Sequence, residues 1–435
     1  MVTARDLCFA RKRVLLVEAR DRIGGRTWTA QNENGDNFEM GGTWVHWQQP
    51  HVFAELQRYG LDRFIETKAA PDGCTIFSKA TQSGPLVASS PEEAAEMFSG
   101  IERLMSKFLD IDGHGGQSVI PFPFNTPNSL QINSSYGEID RLSIQDRVND
   151  LDTLSTEEKH TLMEHAASFY GIPPDQAAFS EVLHTYALCN FKPEMIEEAT
   201  MKFKLECGTT AFARAILDDY RGDRLFSSPV KSITQTPDIG ASVLLESGQT
   251  FNAKVVVSTI PLNVIQNINF DPPLSELRHA AFTTGIVATN IDKLLATTSA
   301  SLPTGYNISC EGGDMPFASG FSDITQDDRP LLTFLCQPNI SLDTDDTAIR
   351  VIESLHPDGL TLTSAQAHLW SEDPYAGGVM PIRRAGFIEK YDAEVRKPHG
   401  KVYFCGSDFA DGWRGFISGA IESAYQITYK VLKTL

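Results

Sequence analysis

LLVEARDRIGGRTW, residues 15–28, decides how this chain is read. Leu15, Leu16 and Val17 form an aliphatic run that ends on Glu18, the pattern of a short buried strand closed by an acid. Residues 2–10 ahead of it read as the end of a helix. Helix, strand and acid in that order make the second half of a βαβ unit that binds a dinucleotide, where the acid accepts hydrogen bonds from a ribose hydroxyl. Taken alone, Glu18 is as well read as a solvated acid at a strand end. The first half of such a unit is a strand and a Gly-x-Gly-x-x-Gly turn, and neither lies upstream of Ala4 nor elsewhere in the chain. The expectation is therefore a fold short of its first strand and glycine-rich loop, with roughly 20 or more residues belonging ahead of Met1.

The glycines that follow weigh for the dinucleotide. Gly24 and Gly25 allow close backbone approach, and Arg26 offers a planar fork to a phosphate. A second pair, Gly41 and Gly42, stands in EMGGTWVHW at residues 39–47, followed by Thr43 and Trp44. One such pair is usually a turn; two, at set distances from Glu18, are harder to explain that way.

Composition bounds the rest. The chain has 435 residues, 41% hydrophobic and 21% charged, which at roughly 100–200 residues per domain allows two to four domains. A net charge of −19 argues against binding nucleic acid, whose phosphates need basic patches. No run of 18 apolar residues suggests a membrane span, and residues 1–20 lack the apolar core of a signal peptide. The 7 cysteines are scattered, without a CxxC or a Cys/His cluster, as expected of reduced thiols in an intracellular protein. Ile101, Leu104, Met105 and Phe108 repeat at helical spacing. Ser155 to Glu158 is a capping box, and Gly171 with Pro173 ends that helix. Residues 242–249 and 254–260 read as two strands around a Ser-Gly turn.

Four blocks in order, LLVEARDRIGGRTW at 15–28, EMGGTWVHW at 39–47, VVVSTIPLNVI at 255–265 and GSDFADGWRGFISGAIESA at 406–424, resemble the flavin-dependent amine oxidases, and among them the fungal monoamine oxidases. The resemblance spans the chain from end to end. It implies an α/β fold in which a Rossmann-like FAD-binding domain (residues 1–75, 205–285 and 386–435) interleaves with an α+β substrate domain (residues 76–204 and 286–385). It implies that Glu18, Arg20, Gly24, Gly25, Arg26, Gly41, Gly42, Thr43, Trp44, Val230, Gly406, Ser407, Asp408, Trp413, Phe416 and Ile417 meet FAD. The helix from Ile417 onward would present its N-terminus to the flavin ring.

Three departures from the family pattern stand out. The glycine-rich loop is absent, as above. Val379 stands where some animal members carry the cysteine that bonds the flavin, so FAD is expected to be held non-covalently. Met380 replaces an aromatic wall of the substrate cage, Phe416 keeps the other wall, and Trp370 matches a tryptophan near the flavin. A family lysine has no clean match. Lys293, the nearest, reads as a surface lysine at a helix start.

The activity implied is oxidation of a small-molecule amine to an imine, then an aldehyde or ketone, with molecular oxygen reduced to hydrogen peroxide. Two other readings stay open: a truncated, inactive relative, and a flavin oxidase or desaturase acting on a biosynthetic intermediate. No transmembrane anchor is expected, and a homo-oligomer is left open. The cytoplasm is the expected compartment. Lys433, Thr434 and Leu435 faintly resemble a peroxisomal address, which keeps that compartment as the alternative.

Overall fold

Val2–Phe9 is a helix and Leu15–Val17 is a strand, so the chain opens as its sequence reads. A computed structural model describes residues 1–32, 35–67, 74–133, 135–236, 240–302, 306–310, 317–324, 330–336 and 346–435. Leu15–Val17 pairs in parallel with Asp223–Leu225, and Val256–Ser258 pairs in parallel with Val402–Phe404. These are separate two-stranded sheets. The expectation that Leu15–Val17 is a buried strand needs correcting: Leu15 is 36% exposed, and Leu16 and Val17 are half-buried. Among the described residues the strand has a partner along one edge alone, so its other edge shields nothing.

Residues 242–249 also need correction. Gly240–Leu245 folds back antiparallel onto Thr250–Ala253 around Ser247 and Gly248. Val256–Ser258, read as the second arm, belongs instead to the parallel pair with Val402–Phe404. A largely polar strand, Thr250–Ala253, supplies the true partner because its solvent-facing side needs no apolar residues.

Away from the parallel pairs lies a sheet of seven strands. Its order is Leu362–His368, Asp292–Thr298, Pro330–Cys336, Phe317–Ile324, Tyr306–Cys310, Thr75–Lys79 and Val87–Ser89. Phe77, Leu294, Tyr306, Leu332 and Phe334 pack on one of its faces with Ile352. Helices Pro91–Leu109 and Thr156–Tyr170 each open on a capping box, Ser90 with Glu93 and Ser155 with Glu158. Gly171 closes the second in the left-handed conformation, φ 62°. Leu104, Phe108, Leu162, Phe179 and Trp413 share the cluster between these helices and Phe179–Leu188. The last helix, Ile417–Thr434, lies on Val2–Phe9 through Val2, Leu7, Ile421 and Val431.

This arrangement brings distant ends of chain together. Glu18 follows one parallel strand, Gly406 follows another, and Phe416 caps the last helix. Crevices outside the carboxyl ends of parallel strands are where α/β folds bind ligands. Among the described residues no helix is long and apolar enough to cross a membrane.

Candidate active site

Arg26 ties three of the sequence blocks into one place. Its guanidinium donates to the Val379 carbonyl at 2.6 Å, to Ser407 Oγ at 2.9 Å and to Asp408 Oδ1 at 2.5 Å. The Asp408 side chain is 1% exposed. Its other oxygen accepts from the Leu262 backbone at 3.0 Å, which draws in the 255–265 block as well. Gly24 accepts from Thr27 N at 3.1 Å, and Gly25 accepts from Arg22 Nη1 at 2.9 Å. Gly42 N donates to the Arg26 carbonyl at 3.0 Å, so the two glycine pairs lie side by side.

Glu18 Oε1 accepts from Arg20 N at 2.9 Å. The backbone carbonyls of Glu18 and Arg20 accept from Ser228 N and Ser227 N, both at 2.9 Å, which sets the segment before Val230 against the acid. Arg20 also pairs with Asp373 and lies over the Tyr375 ring at 5.2 Å. Burial alone would raise the Asp373 carboxyl; hydrogen bonds from His368 and Arg20 hold it well below the usual carboxylate range.

The walls expected for the substrate are also close together. Gly415 has φ +83°, and a Cβ there would come 2.8 Å from Met380 Sδ, so the glycine is what lets Met380 sit beside Phe416. Both side chains pack on the cluster that holds Trp413. Trp413 meets Phe416 edge-on at 5.2 Å, and its Nε1 donates to Gln48 O at 3.0 Å. Trp370 is 2% exposed and donates to Met40 O at 2.8 Å, just ahead of Gly41. Ile417 is the first residue of a helix whose N-cap, Phe416, makes no side-chain cap. Its first backbone N–H groups are therefore left for a ligand or water.

Lys293 overturns its reading as a surface lysine at a helix start. It lies on strand Asp292–Thr298 and is 6% exposed. Its Nζ donates to Glu39 O at 2.6 Å, Thr43 Oγ1 at 2.7 Å and Gly41 O at 3.1 Å, and stands 5.5 Å from the Trp44 ring. Three acceptors from one turn account for a charge this deep. The partners lie some 250 residues earlier in sequence, so no local signal announces them.

A cavity lies among the helices of the larger apolar cluster. Tyr170, with Ile101, Met105, Phe169 and Val182, lines it. The Tyr170 carbonyl accepts from Thr289 Oγ1 at 3.0 Å, and Thr289 N donates to Met380 O at 2.9 Å. Thr289 thus links one residue of the cavity's lining to the Met380 backbone. Among the described residues, no group of His, Cys, Asp and Glu could hold a metal ion.

A model of the flavin containing amine oxidoreductases matches residues 1–432. The chain belongs to that family. Pseudooxynicotine dehydrogenase of a Pseudomonas species is 28% identical over 100% of this chain and 84% of its own length. Flavin-containing amine oxidase B of Bos taurus is 22% identical over 100% of this chain and 84% of its own. Among solved structures, putrescine oxidase bound to putrescine superposes with a TM-score of 0.80 at 19% identity, over 99% of this chain and 96% of the other. That likeness carries the fold, an α/β amine-oxidase fold.

As a flavin-containing amine oxidoreductase, the chain is an enzyme of FAD-dependent amine oxidation. Its residues fit the cofactor. A Cβ at Gly406, φ +130°, would find its nearest neighbour 4.0 Å away at Thr259 O, so the turn leaves an open cradle. Among the described residues, buried polar atoms stand without hydrogen-bond partners at Ser258 Oγ, beside Cys405, and at Asn263 Oδ1 and Nδ2, beside Gly378. Such atoms mark groups that a polar ligand satisfies. Asn263 and Ser258 lie inside the 255–265 block, but sequence pattern alone gives neither a role.

Proposed function

We propose that the chain oxidises the neutral form of an amine with an apolar body, bound in a slot between Phe416 and Met380. The observation that carries this reading is the seat of Met380 on Gly415, beside Phe416 and on an apolar cluster. FAD supplies the acceptor for the hydrogen on the amine's α-carbon when it is bound. Glu18 and the segment before Val230 would hold the adenosine end, and Arg26 with the Gly406–Asp408 turn the phosphates. The free amides at Ile417 and Ser418, with Trp44 and Trp370, would face the ring system. Val379 offers no thiol, so FAD is held without a covalent bond.

The protein's own part is placement. Phe416 supplies a π-face, Met380 an adaptable thioether, and together they exclude water from the amine. Lys293 fixes the turn of residues 39–43 through its three acceptors. The imine product then meets water outside the slot and hydrolyses to an aldehyde or ketone. Molecular oxygen as final electron acceptor belongs to the same reading, as does the division into an FAD domain and an interleaved substrate domain. So does a cytoplasmic location.

A direct test is to purify the chain with FAD and mix it with simple primary and secondary amines. Hydrogen peroxide should appear with oxygen, and acid precipitation should leave all the flavin in the supernatant. Because one relative is named a dehydrogenase, an artificial dye acceptor forms a second arm. Activity should rise with pH through the amine's own pKa, about 10 for an alkyl amine. A protein that stays colourless with added FAD, or a flat profile with such an amine, would refute the proposal.

A further inference from the structure

We propose that the buried Arg414–Glu181 ion pair is a positioning device that fixes the turn bearing Phe416 and so aims that ring at the amine. The inference rests on the reading of Phe416 as a wall of the slot. Arg414 Nη2 meets Glu181 Oε1 at 2.8 Å and Nε meets Oε2 at 3.4 Å, a two-pronged contact. The two side chains are 6% and 7% exposed. Glu181 projects from helix Phe179–Leu188, whereas Arg414 lies 233 residues later, in GWRGF at 412–416. Arg414 Nη1 reaches back to the Ala410 carbonyl at 3.0 Å, so one guanidinium spans the turn and grips the helix beside it.

The near half of this turn has other anchors. The Glu422 carboxylate accepts from Asp411 N and Gly412 N at 3.0–3.1 Å. Arg396 forms an ion pair with Asp411 at 2.5 Å. Trp413 is tethered to Gln48 O. The far half, 414–416, has backbone bonds from Arg414 N to Gly412 O at 2.7 Å, from Gly415 N to Ser407 O at 3.2 Å and from Phe416 N to Trp413 O at 3.1 Å. Among the described residues Arg414 is the side chain that hydrogen-bonds there. The Phe416 ring has only packing to hold it, so the set of the backbone beneath it decides where the ring points.

The chemistry suits aiming better than gluing. A buried ion pair adds little net stability over apolar residues of like size, because desolvation offsets attraction. Its fork geometry does fix direction, which apolar packing does not. The surroundings favour keeping both charges. Burial would raise the Glu181 carboxyl, but Arg414 and Arg383 hold it below its ordinary value. Among the described residues, Arg383 Nη1 and Tyr136 Oη stand in the same buried region without hydrogen-bond partners. Arg383 pairs with Asp392 at 3.6 Å and Arg396 with Asp392 and Asp411, so an uncharged Glu181 would leave Arg414 as the guanidinium there without its carboxylate.

The test is a mutant cycle of Arg414→Met with Phe416→Leu. The readouts are the anaerobic rate at which an amine reduces the bound FAD, the FAD content and the melting temperature. If Arg414 acts through Phe416, R414M slows reduction on the order of 10-fold to 100-fold, the range for a misplaced reacting group. The same change should matter little once Phe416 is already Leu. E181Q should reproduce the R414M effect and takes its place in the cycle should R414M lose FAD. Near-ultraviolet circular dichroism, which reports the Trp413–Phe416 contact, should change in R414M and in E181Q. Equal slowing in both Phe416 backgrounds, or rates within about twofold of the parent, would overturn the proposal. If the parent oxidises no amine, the earlier reading has failed instead, and an unaltered circular dichroism spectrum in R414M then overturns this one separately.

Discussion

Arg26 is the residue on which the proposed cofactor cradle turns. It meets the Asp408 carboxylate, Ser407 Oγ and the Val379 carbonyl, and the carboxylate it neutralises is almost fully buried. In Arg26→Ala, Asp408 keeps the Leu262 amide and Ser407 hydroxyl but loses its charged partner. A charge-assisted hydrogen bond of this kind contributes roughly 1.5–3 kcal/mol. R26A should therefore melt earlier and bind FAD at least about tenfold more weakly, checked by calorimetry and by the flavin-to-protein absorbance ratio. Lys293→Met makes a second test at this scale. It takes the Lys293 donor from the Glu39 carbonyl, at a cost of about 1–3 kcal/mol for a buried acceptor left without its partner, while the Gly41 carbonyl keeps the Thr43 hydroxyl at 2.9 Å. Denaturant titration should show that loss before any amine is added. The two residues differ in how they read from sequence. Arg26 stands in a glycine-rich block, so the sequence singled it out by its neighbours, although its partners at 379 and 407–408 lie far along the chain. Lys293 sits in Asn290 to Leu294, a polar stretch followed by aliphatics, and the acceptors that bury it come from residues 39–43.

Helix Ser135–Asp140 ends on a carboxylate that works against the fold at neutral pH. Asp140 is fully buried; it accepts from Ser180 Oγ at 2.6 Å and from Ile388 N at 2.8 Å. Desolvation outweighs both bonds and pushes its pKa up to about 6. In an unfolded chain the value is about 3.9. Between these two values the folded state binds the extra proton, so stability contributed by the protonated acid is complete below about pH 4. It is lost as pH rises through 6, by about 3 kcal/mol in all. Asp140→Asn stays uncharged, can donate to Ser180 Oγ and accept from Ile388 N, and should flatten that part of the decline. Melting temperatures of the parent and D140N should converge near pH 4 and separate above pH 6, with D140N the higher. Parallel curves across that range would show that Asp140 is not the group responsible. The helix end at Ser155 was legible because a cap lies within four residues of its partner. Pairings between strands were less so. Thr250–Ala253 is too polar to announce itself, yet it turns back on Gly240–Leu245, while the apolar Val256–Ser258 goes to a strand near the other end of the chain.

For the whole molecule, the net charge of −19 bears on the amine more than on the fold. Most alkyl amines are cations at neutral pH, and a strongly acidic protein draws them in, whereas the reaction proposed here consumes the neutral form. Attraction and reaction therefore favour opposite protonation states of the same substrate. At pH 7 the field raises the local concentration of the cation, which can then lose its proton in the apolar slot beside Phe416 and Met380. Salt shortens the reach of that field to about 10 Å at 0.1 M and about 3 Å at 1 M. The value of kcat/KM for a simple alkyl amine should accordingly fall by roughly tenfold between low and high salt at pH 7, the lower end of electrostatic steering effects. Above the amine's pKa the substrate is neutral, the attraction vanishes, and the salt dependence should vanish with it. The contrast separates steering from any general effect of salt on folding, because the same protein is measured at both pH values. Steady-state rates at several salt concentrations, taken with one amine below and above its pKa, decide the matter. An equal salt dependence at both pH values would place the effect in the enzyme's structure and not in its field.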